Sequence, residues 1–132
     1  MSKRVEEYIC RKSLEIALAL NDKRDDDRKR HYAFVWSGGS LRTIAQNGNY
    51  RDPFQNFWDY PKECFIHSEF RAIRRLNEID CSKFIMVTFR LSKTGLLSNG
   101  KPCPYCENFI RHFGFKKVWH SNESREFQEL YI

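Results

Sequence analysis

The feature that most constrains the fold is a continuous apolar run over residues 83–91, KFIMVTFRL. Such a run, rich in β-forming residues, is typical of a central strand that is covered on both faces. The segments around it show helical spacing instead, at residues 4–20, at residues 66–78, and from Cys106 to a stop at Gly114. A sheet with helices on both faces is a three-layer α/β sandwich, which is the predicted fold class.

Shorter strands complete the predicted sheet. Residues 31–36 and 41–46 are strand-like, and the Gly-Gly pair between them predicts a tight antiparallel hairpin. The last two strands are predicted at residues 116–121 and 126–132, with only about four residues between them. A parallel pair needs a crossover of roughly a dozen residues or more, so the final two strands are predicted to pair antiparallel.

The N-terminal region is predicted to form one helix followed by a charged linker. The run NDKRDDDRKR, residues 21–30, mixes charges of both signs and is typical of a solvated linker. The apolar residues of the helix recur at helical spacing and are expected to face the core: Val5, Tyr8, Ile9, Ile16, Ala19 and Leu20.

Length and composition predict one domain over residues 1–132 in a cytoplasmic protein. The chain is 41% apolar, which is enough for a sizeable core. It has no signal-peptide pattern and no apolar run near the roughly 20 residues of a membrane span, so no membrane partner is expected. Its five cysteines, an odd number, favour reduced thiols. The net charge of +6 favours anionic partners such as nucleotides or nucleic acid, and a homo-oligomer is compatible with the composition.

The segment KPCPYC, residues 101–106, predicts a metal site at a helix start. Cys-x-x-Cys spacing lets one helical turn present both sulfurs to a single ion, and thiolates suit zinc. Pro102 and Pro104 flank Cys103, and prolines are tolerated at the beginning of a helix but not inside it. The helix dipole at that position stabilises the thiolates of Cys103 and Cys106.

The segment ECFIHSEF, residues 63–70, provides the remaining parts of the predicted site. His67 lies at the start of the second helix, and a strand links this helix to the one that carries the cysteines. The two helices can therefore lie side by side on one face of the sheet. His67, Cys103 and Cys106 then form three ligands and leave a fourth position open for water, which is the pattern of catalytic zinc. Glu69, beside that position, is predicted to move the proton of the water.

These two segments resemble the signature of the cytidine and deoxycytidylate deaminase superfamily, His-x-Glu with Pro-Cys-x-x-Cys. The order of helices and strands matches over most of the chain. The resemblance implies a Zn²⁺ cofactor and a mixed sheet of about five strands flanked by helices. It also implies hydrolytic loss of an exocyclic amine, from C4 of cytosine or C6 of adenine, with Glu69 protonating first the ring nitrogen and then the ammonia.

The resemblance further implies a set of substrate contacts. Members of the superfamily often hold the base with an Asn in the loop after the second strand, which indicates Asn49, with Asn47 as the alternative. The other predicted contacts lie beside the metal ligands and in the long connection over residues 47–64: Ser68, Pro102, Tyr105, Trp58 and Arg51. The aromatic residues of that connection either stack on a base or form a small core under the loop.

One alternative to a catalytic site is a closed structural zinc. Cys64-x-x-His67 together with Cys103-x-x-Cys106 has the spacing of a saturated Cys₃His site. Such a site has no use for Glu69, although an acid in the first turn also complements the helix dipole. Redox chemistry of the Cys-x-x-Cys pair is disfavoured because metal binding already explains the prolines and the helical context.

The choice of substrate depends on weaker signals. Within the superfamily, an antiparallel final pair of strands is typical of free-nucleoside deaminases, and a parallel pair with an intervening helix is typical of deoxycytidylate, tRNA and single-stranded nucleic-acid deaminases. The expected antiparallel pair favours a small substrate, and the predicted substrate is a cytosine nucleoside or nucleotide: cytidine, deoxycytidine or dCMP. The alternative is deamination of bases in single-stranded DNA or RNA, although KPCPYC lacks the tryptophan-serine lead-in of the enzymes that deaminate polynucleotide cytidines. Arg51, Lys62 and Lys101 flank the predicted site and are candidates to meet a phosphate.

Overall fold

A six-stranded mixed sheet organises the part of the chain that the structure, a computed structural model, describes: residues 3–21 and 30–131. The elements follow in the order α1 (Lys3–Asn21), β1 (Arg30–Ser37), β2 (Ser40–Gln46), a 3₁₀ helix (Pro53–Trp58), α2 (Ser68–Leu76), β3 (Ile85–Leu91), β4 (Leu97–Ser98), α3 (Pro104–Phe113), β5 (Lys117–Ser121) and β6 (Phe127–Leu130). Of the predicted linker at residues 21–30, Asn21 ends α1 and Arg30 begins β1, and residues 22–29 lie outside the described residues.

The strand order is β2-β1-β3-β5-β6, so the apolar run forms the centre of the sheet as predicted. β3 pairs antiparallel with β1 and parallel with β5. The predicted hairpin joins β1 to β2, with Gly38 at a φ of 59°, where a residue without a Cβ is favoured. β5 and β6 pair antiparallel, as the short connection between them predicts.

The two faces of the sheet carry separate cores, which confirms the three-layer sandwich. Alternate residues of β1 point to opposite faces because the side-chain period of a strand is two. Ala33 and Val35 pack with α2 and α3, whereas Tyr32 and Phe34 pack with α1. The face that carries α2 and α3 is called the metal face below, and the face that carries α1 is called the opposite face.

The buried stripe of α1 differs from the predicted apolar one. Tyr8 and Leu20 are exposed, whereas Glu6, Ser13 and Asn21 are buried. Each buried polar side chain has a tertiary partner: Glu6 pairs with Lys117 at 2.8 Å, Ser13 accepts a hydrogen bond from Trp36, and Asn21 donates to the carbonyl of Ser92. Hydropathy alone did not identify these residues because their partners lie far along the chain.

The short strand β4 was not predicted. It consists of Leu97 and Ser98, which pair with the end of β3, and two residues are too few to show a period. After β4 the chain passes so close to β3 that a Cβ on Gly100 would lie 2.4 Å from the Cα of Phe89. This close passage determines where the following residues, up to Cys103, lie relative to the sheet.

Among residues 3–21 and 30–131, no helix combines the length and the apolarity that a membrane crossing requires.

Candidate metal centre and substrate cavity

His67 and Cys103 occupy equivalent positions on two neighbouring helices. Each is the N-cap residue of its helix, with extended backbone angles, and neither side chain caps the helix by a hydrogen bond. Both side chains are therefore free to point beyond the helix ends, and Cys106 joins them from the first turn of α3. The Nδ1 atom of His67 lies 3.4 Å from Sγ of Cys103 and 3.3 Å from Sγ of Cys106.

These three side chains fit a zinc ion. The ligand atoms of His67, Cys103 and Cys106 all lie within 4.8 Å of one another. One imidazole nitrogen and two soft sulfurs form a donor set that is typical of zinc, and three protein ligands leave one tetrahedral position for another group.

Cys64 lies on the other side of the histidine ring. Its Sγ atom is 2.9 Å from Nε2 of His67 and donates a hydrogen bond to the carbonyl of Phe65. With a metal bound at Nδ1, on the side of the cysteine pair, Nε2 would carry the proton and donate it to the Cys64 sulfur. This arrangement gives Cys64 the role of orienting the ring and disfavours the closed Cys₃His alternative.

Glu69 is buried beside the candidate ligands, and one of its two carboxylate oxygens accepts no hydrogen bond from the described residues. Ser68 donates a hydrogen bond of 2.7 Å to Oε1, and Nδ1 of His31 lies 3.7 Å from the same oxygen. Burial acts to raise the pKa of Glu69, but His31, the Ser68 hydrogen bond and His67 outweigh it and hold the pKa below its usual value. The buried Oε2 has no hydrogen-bond partner among the described residues. Glu69 is thus an ionised carboxylate with a free acceptor atom.

The two cysteines differ in their protonation when no metal is bound. A hydrogen bond from Cys106, followed by one from His67, lowers the pKa of Cys103 to about 4 against the raising effect of burial. Burial raises the pKa of Cys106, as do its hydrogen bond to Cys103 and the charge of Glu69. The pair therefore holds one thiolate, on Cys103, and one thiol, on Cys106.

A cavity of about 370 Å³ opens next to Glu69. Its volume lies in the range of small-molecule sites, roughly 300–1,000 Å³. The residues that line it come from five separate stretches of the chain: His31, Asn47, His67, Glu69, Arg90, Lys101 and Cys103. The cavity thus joins the candidate acid–base residue to two of the three candidate metal ligands.

The structure places Asn47, and not Asn49, at this cavity. Asn47 follows β2 directly and exchanges hydrogen bonds of 3.1 Å with the backbone of His31. Asn49 is exposed and does not line the cavity. The two positions differ because the backbone bends at Asn49, directly after Gly48, whose amide donates to the carbonyl of Ile66. Asn47 was the alternative in the sequence analysis, and it is the residue whose position suits a substrate contact.

Two other predicted contacts, Arg51 and Trp58, do not line the cavity. The guanidinium of Arg51 donates hydrogen bonds to oxygens of its own loop, among them the carbonyls of Tyr60 and Cys64. The ring of Trp58 packs edge-on against Phe109, with ring centres 4.8 Å apart. Both side chains hold the long connection together, which supports the packing alternative for its aromatic residues.

The remaining predicted contacts lie close to the ligands. Ser68 is buried and orients Glu69, and Pro102 is buried between Lys101 and Cys103. Tyr105 is partly exposed and packs against Tyr60, with ring centres 5.4 Å apart, but it does not line the cavity.

His31 and Arg90 were not predicted to line a site, and the contact of Tyr60 with Cys106 was not predicted either. His31 and Arg90 lie opposite each other in the pairing of β1 with β3, so both face the metal side of the sheet. The face of His31 could have been predicted from strand alternation, because His31 is two residues from Ala33 and side chains two apart on a strand point to the same face. Tyr60 left no such signal, because its position depends on the path of an irregular loop.

Comparisons with known proteins identify the fold. Neither a protein-family model nor a curated protein matches this chain by sequence. A solved structure that is similar is the dCMP deaminase from the cyanophage S-TIM5 in complex with dCMP and dUMP, with a TM-score of 0.54. It is 21% identical, and the match covers 93% of this chain and 85% of that one. The chain has the cytidine deaminase-like fold.

The apo form of the same cyanophage enzyme gives the same result. It is 22% identical, with a TM-score of 0.54, and the match covers 94% of this chain and 87% of the other. The expected cytidine deaminase-like architecture is therefore confirmed over nearly the whole length. The His-Cys-Cys group of this fold lies where the two helices α2 and α3 begin.

Proposed function

We propose that this chain is a zinc-dependent hydrolytic deaminase that converts a cytosine nucleotide or nucleoside to its uracil form and releases ammonia. The observation that carries the proposal is the unpartnered, buried Oε2 of Glu69, in a cavity that His67 and Cys103 also line. Zinc held by His67, Cys103 and Cys106 would lower the pKa of a water molecule at its fourth position to about 7.

In the proposed reaction Glu69 moves protons between the water and the base. The water oxygen forms a bond to C4 while its proton passes to Glu69 and then to the ring nitrogen N3. Glu69 then takes the proton of the new C4 hydroxyl and delivers it to the exocyclic nitrogen as the bond from C4 to that nitrogen breaks, so that ammonia leaves and a carbonyl remains. The lowered pKa of Glu69 keeps the carboxylate ready to accept the first proton.

Two cations of the cavity favour a nucleotide over a nucleoside. Arg90 and Lys101 both line the cavity, and neither side chain makes a hydrogen bond or an ion pair with another described residue. A phosphate offers oxygen acceptors to both cations. Lys101 was already a phosphate candidate from the sequence, and Arg90 takes the place of Arg51, whose guanidinium is bonded within its own loop. The dCMP in the cyanophage neighbour is of the same chemical class.

A substrate panel tests the proposal. We expect the zinc-loaded protein to release uracil products from dCMP faster than from deoxycytidine, cytidine or dCTP. Arg90→Gln and Lys101→Gln should each lower kcat/KM for dCMP by about 10-fold, the effect of losing a charged hydrogen bond, and leave deoxycytidine nearly unchanged. Lys116→Gln, an exposed lysine away from the cavity, is the matched control. No conversion of any cytosine compound by the zinc-loaded protein would contradict the proposal.

A single-stranded oligonucleotide containing cytosine belongs in the same panel. The net charge of +6 favours weak, salt-sensitive binding of any nucleic acid, independent of its sequence. Rapid conversion of the oligonucleotide, with none of free dCMP or deoxycytidine, would replace the nucleotide substrate by a polynucleotide.

A further inference from the structure

The hydroxyl of Tyr60 touches a candidate metal ligand. Its oxygen lies 2.8 Å from Sγ of Cys106, and both residues are buried. The same ring packs edge-on against His67, with ring centres 5.5 Å apart, and against Phe70. Tyr60 thus contacts one ligand through its oxygen and a second ligand through its ring.

The long connection between β2 and α2 is built to hold this tyrosine in place. Asp52 and Gln55 cap the 3₁₀ helix by reciprocal hydrogen bonds, and the helix ends at Asp59 in a left-handed conformation. The amide of Tyr60 donates to the carbonyl of Gln55, and the carbonyl of Tyr60 accepts from Arg51. These contacts fix the backbone of Tyr60, and the packing of its ring against His67 and Phe70 holds the hydroxyl at Cys106.

We propose that Tyr60 is a positioning residue of the metal centre, whose hydroxyl donates a hydrogen bond to the Cys106 sulfur and adjusts its strength as a ligand. This inference rests on the metal site of the proposed function. A cysteine that ligates zinc has lost its proton, so in the contact with Tyr60 only the phenol can donate. The hydrogen bond withdraws negative charge from the sulfur and stabilises a buried thiolate.

The test compares Tyr60→Phe with the wild type in metal binding. The variant keeps the ring that packs on His67 and Phe70 and removes only the oxygen. We expect zinc affinity, measured by competition with a chromophoric chelator, to fall by about 10–100-fold, the usual effect of losing an outer hydrogen bond to a ligand. Tyr50→Phe is the matched control, because Tyr50 belongs to the same connection and is exposed.

A spectroscopic measurement distinguishes an effect of the Tyr60 hydroxyl on the Cys106 sulfur from an effect of ring packing alone. In the cobalt-substituted protein, the thiolate-to-cobalt charge-transfer band should move to longer wavelength in Tyr60→Phe, because a sulfur without the hydrogen bond holds its electrons less tightly. Fluorotyrosine at position 60 keeps the hydroxyl as a stronger donor, so it should move the band to shorter wavelength. This second variant also keeps the test decisive where Tyr60→Phe folds poorly.

The outcomes separate this inference from the proposed function. Unchanged zinc affinity and an unchanged cobalt band in Tyr60→Phe, with the wild type binding metal normally, would overturn the role of Tyr60 alone. A wild type that binds neither zinc nor cobalt would overturn the metal centre together with it.

Discussion

Both faces of the sheet carry a buried cysteine and a buried glutamate, but on only one face do such residues form a candidate metal centre within the described residues. The metal face carries Cys106 and Glu69, and the opposite face carries Cys10 and Glu6, all of them buried. The opposite face also has the larger cavity, about 740 Å³ against about 370 Å³. Yet only the smaller cavity borders a group of metal-ligating side chains within the described residues.

The difference lies in where these residues sit on their helices. Cys10 and Glu6 are inside α1, and Glu6 is already paired with Lys117. On the metal face the N-cap residues and first turns of two helices converge, so their side chains point to one place and Glu69 keeps an acceptor free. Convergence of helix starts, and not residue type or cavity size, therefore distinguishes the candidate site.

The largest expected effect comes from removing a cysteine on each face. Cys103→Ala should abolish zinc binding and activity, because two ligands rarely retain the ion. Cys10→Ala, on the opposite face, should keep both. Elemental analysis of the purified variants measures the bound zinc, and equal zinc contents in the two variants would remove the distinction between the faces.

The two buried carboxylates provide the next contrast. Glu69→Gln should keep zinc and fold but lower kcat by about 10²–10⁴-fold, as expected for the loss of a general acid–base group. Glu6→Gln should leave kcat unchanged. Steady-state rates on dCMP measure both, and a Glu69→Gln enzyme with near-normal turnover would remove the proton-transfer role.

Cysteine alkylation compares the faces without any substrate. In the metal-free protein the pKa of Cys103 is lowered to about 4, first by Cys106, whereas burial and then Glu6 raise the pKa of Cys10 to about 12. The Cys103 thiolate therefore forms as the pH rises through about 4 and persists above it, and Cys10 stays a thiol up to about 12. At pH 7 iodoacetamide should modify Cys103 at least about 100-fold faster than Cys10. Mass spectrometry of timed samples measures the rates, and added zinc should protect Cys103.

The smallest effect concerns the stability of the opposite face. Glu6→Gln removes the charge that pairs with Lys117, a residue that remains one-third exposed. We expect the free energy of unfolding to fall by about 1–2 kcal/mol, between the values typical of surface and buried pairs. Urea denaturation measures the change, and a loss of activity in this folded variant would show that the opposite face also serves catalysis.

The sequence predicted those parts of the molecule that local rules determine. Prolines around Cys103 mark a helix start, the apolar run 83–91 marks a central strand, and a four-residue gap forces an antiparallel pair. These rules were enough for the fold and for the candidate metal ligands, because each helix start brings its side chain to the same edge of the sheet.

The cavity was less predictable because it depends on distant pairings. Arg90 reaches it through the register of β3 with β1, and Lys101 through the close passage of Gly100 against Phe89. Asn47, and not Asn49, lines the cavity because the backbone bends at Asn49 and Tyr50. No periodic pattern encodes such contacts, so they appear only when the strands and loops are in place.

X-ray absorption at the zinc edge of the wild-type protein tests directly whether the metal face holds an open site with three protein ligands. We predict one zinc ion per chain, with two sulfur neighbours at about 2.3 Å and two lighter neighbours at about 2.0–2.1 Å, one from His67 and one from solvent. A third sulfur, contributed by Cys64, would show instead that the site is closed and structural.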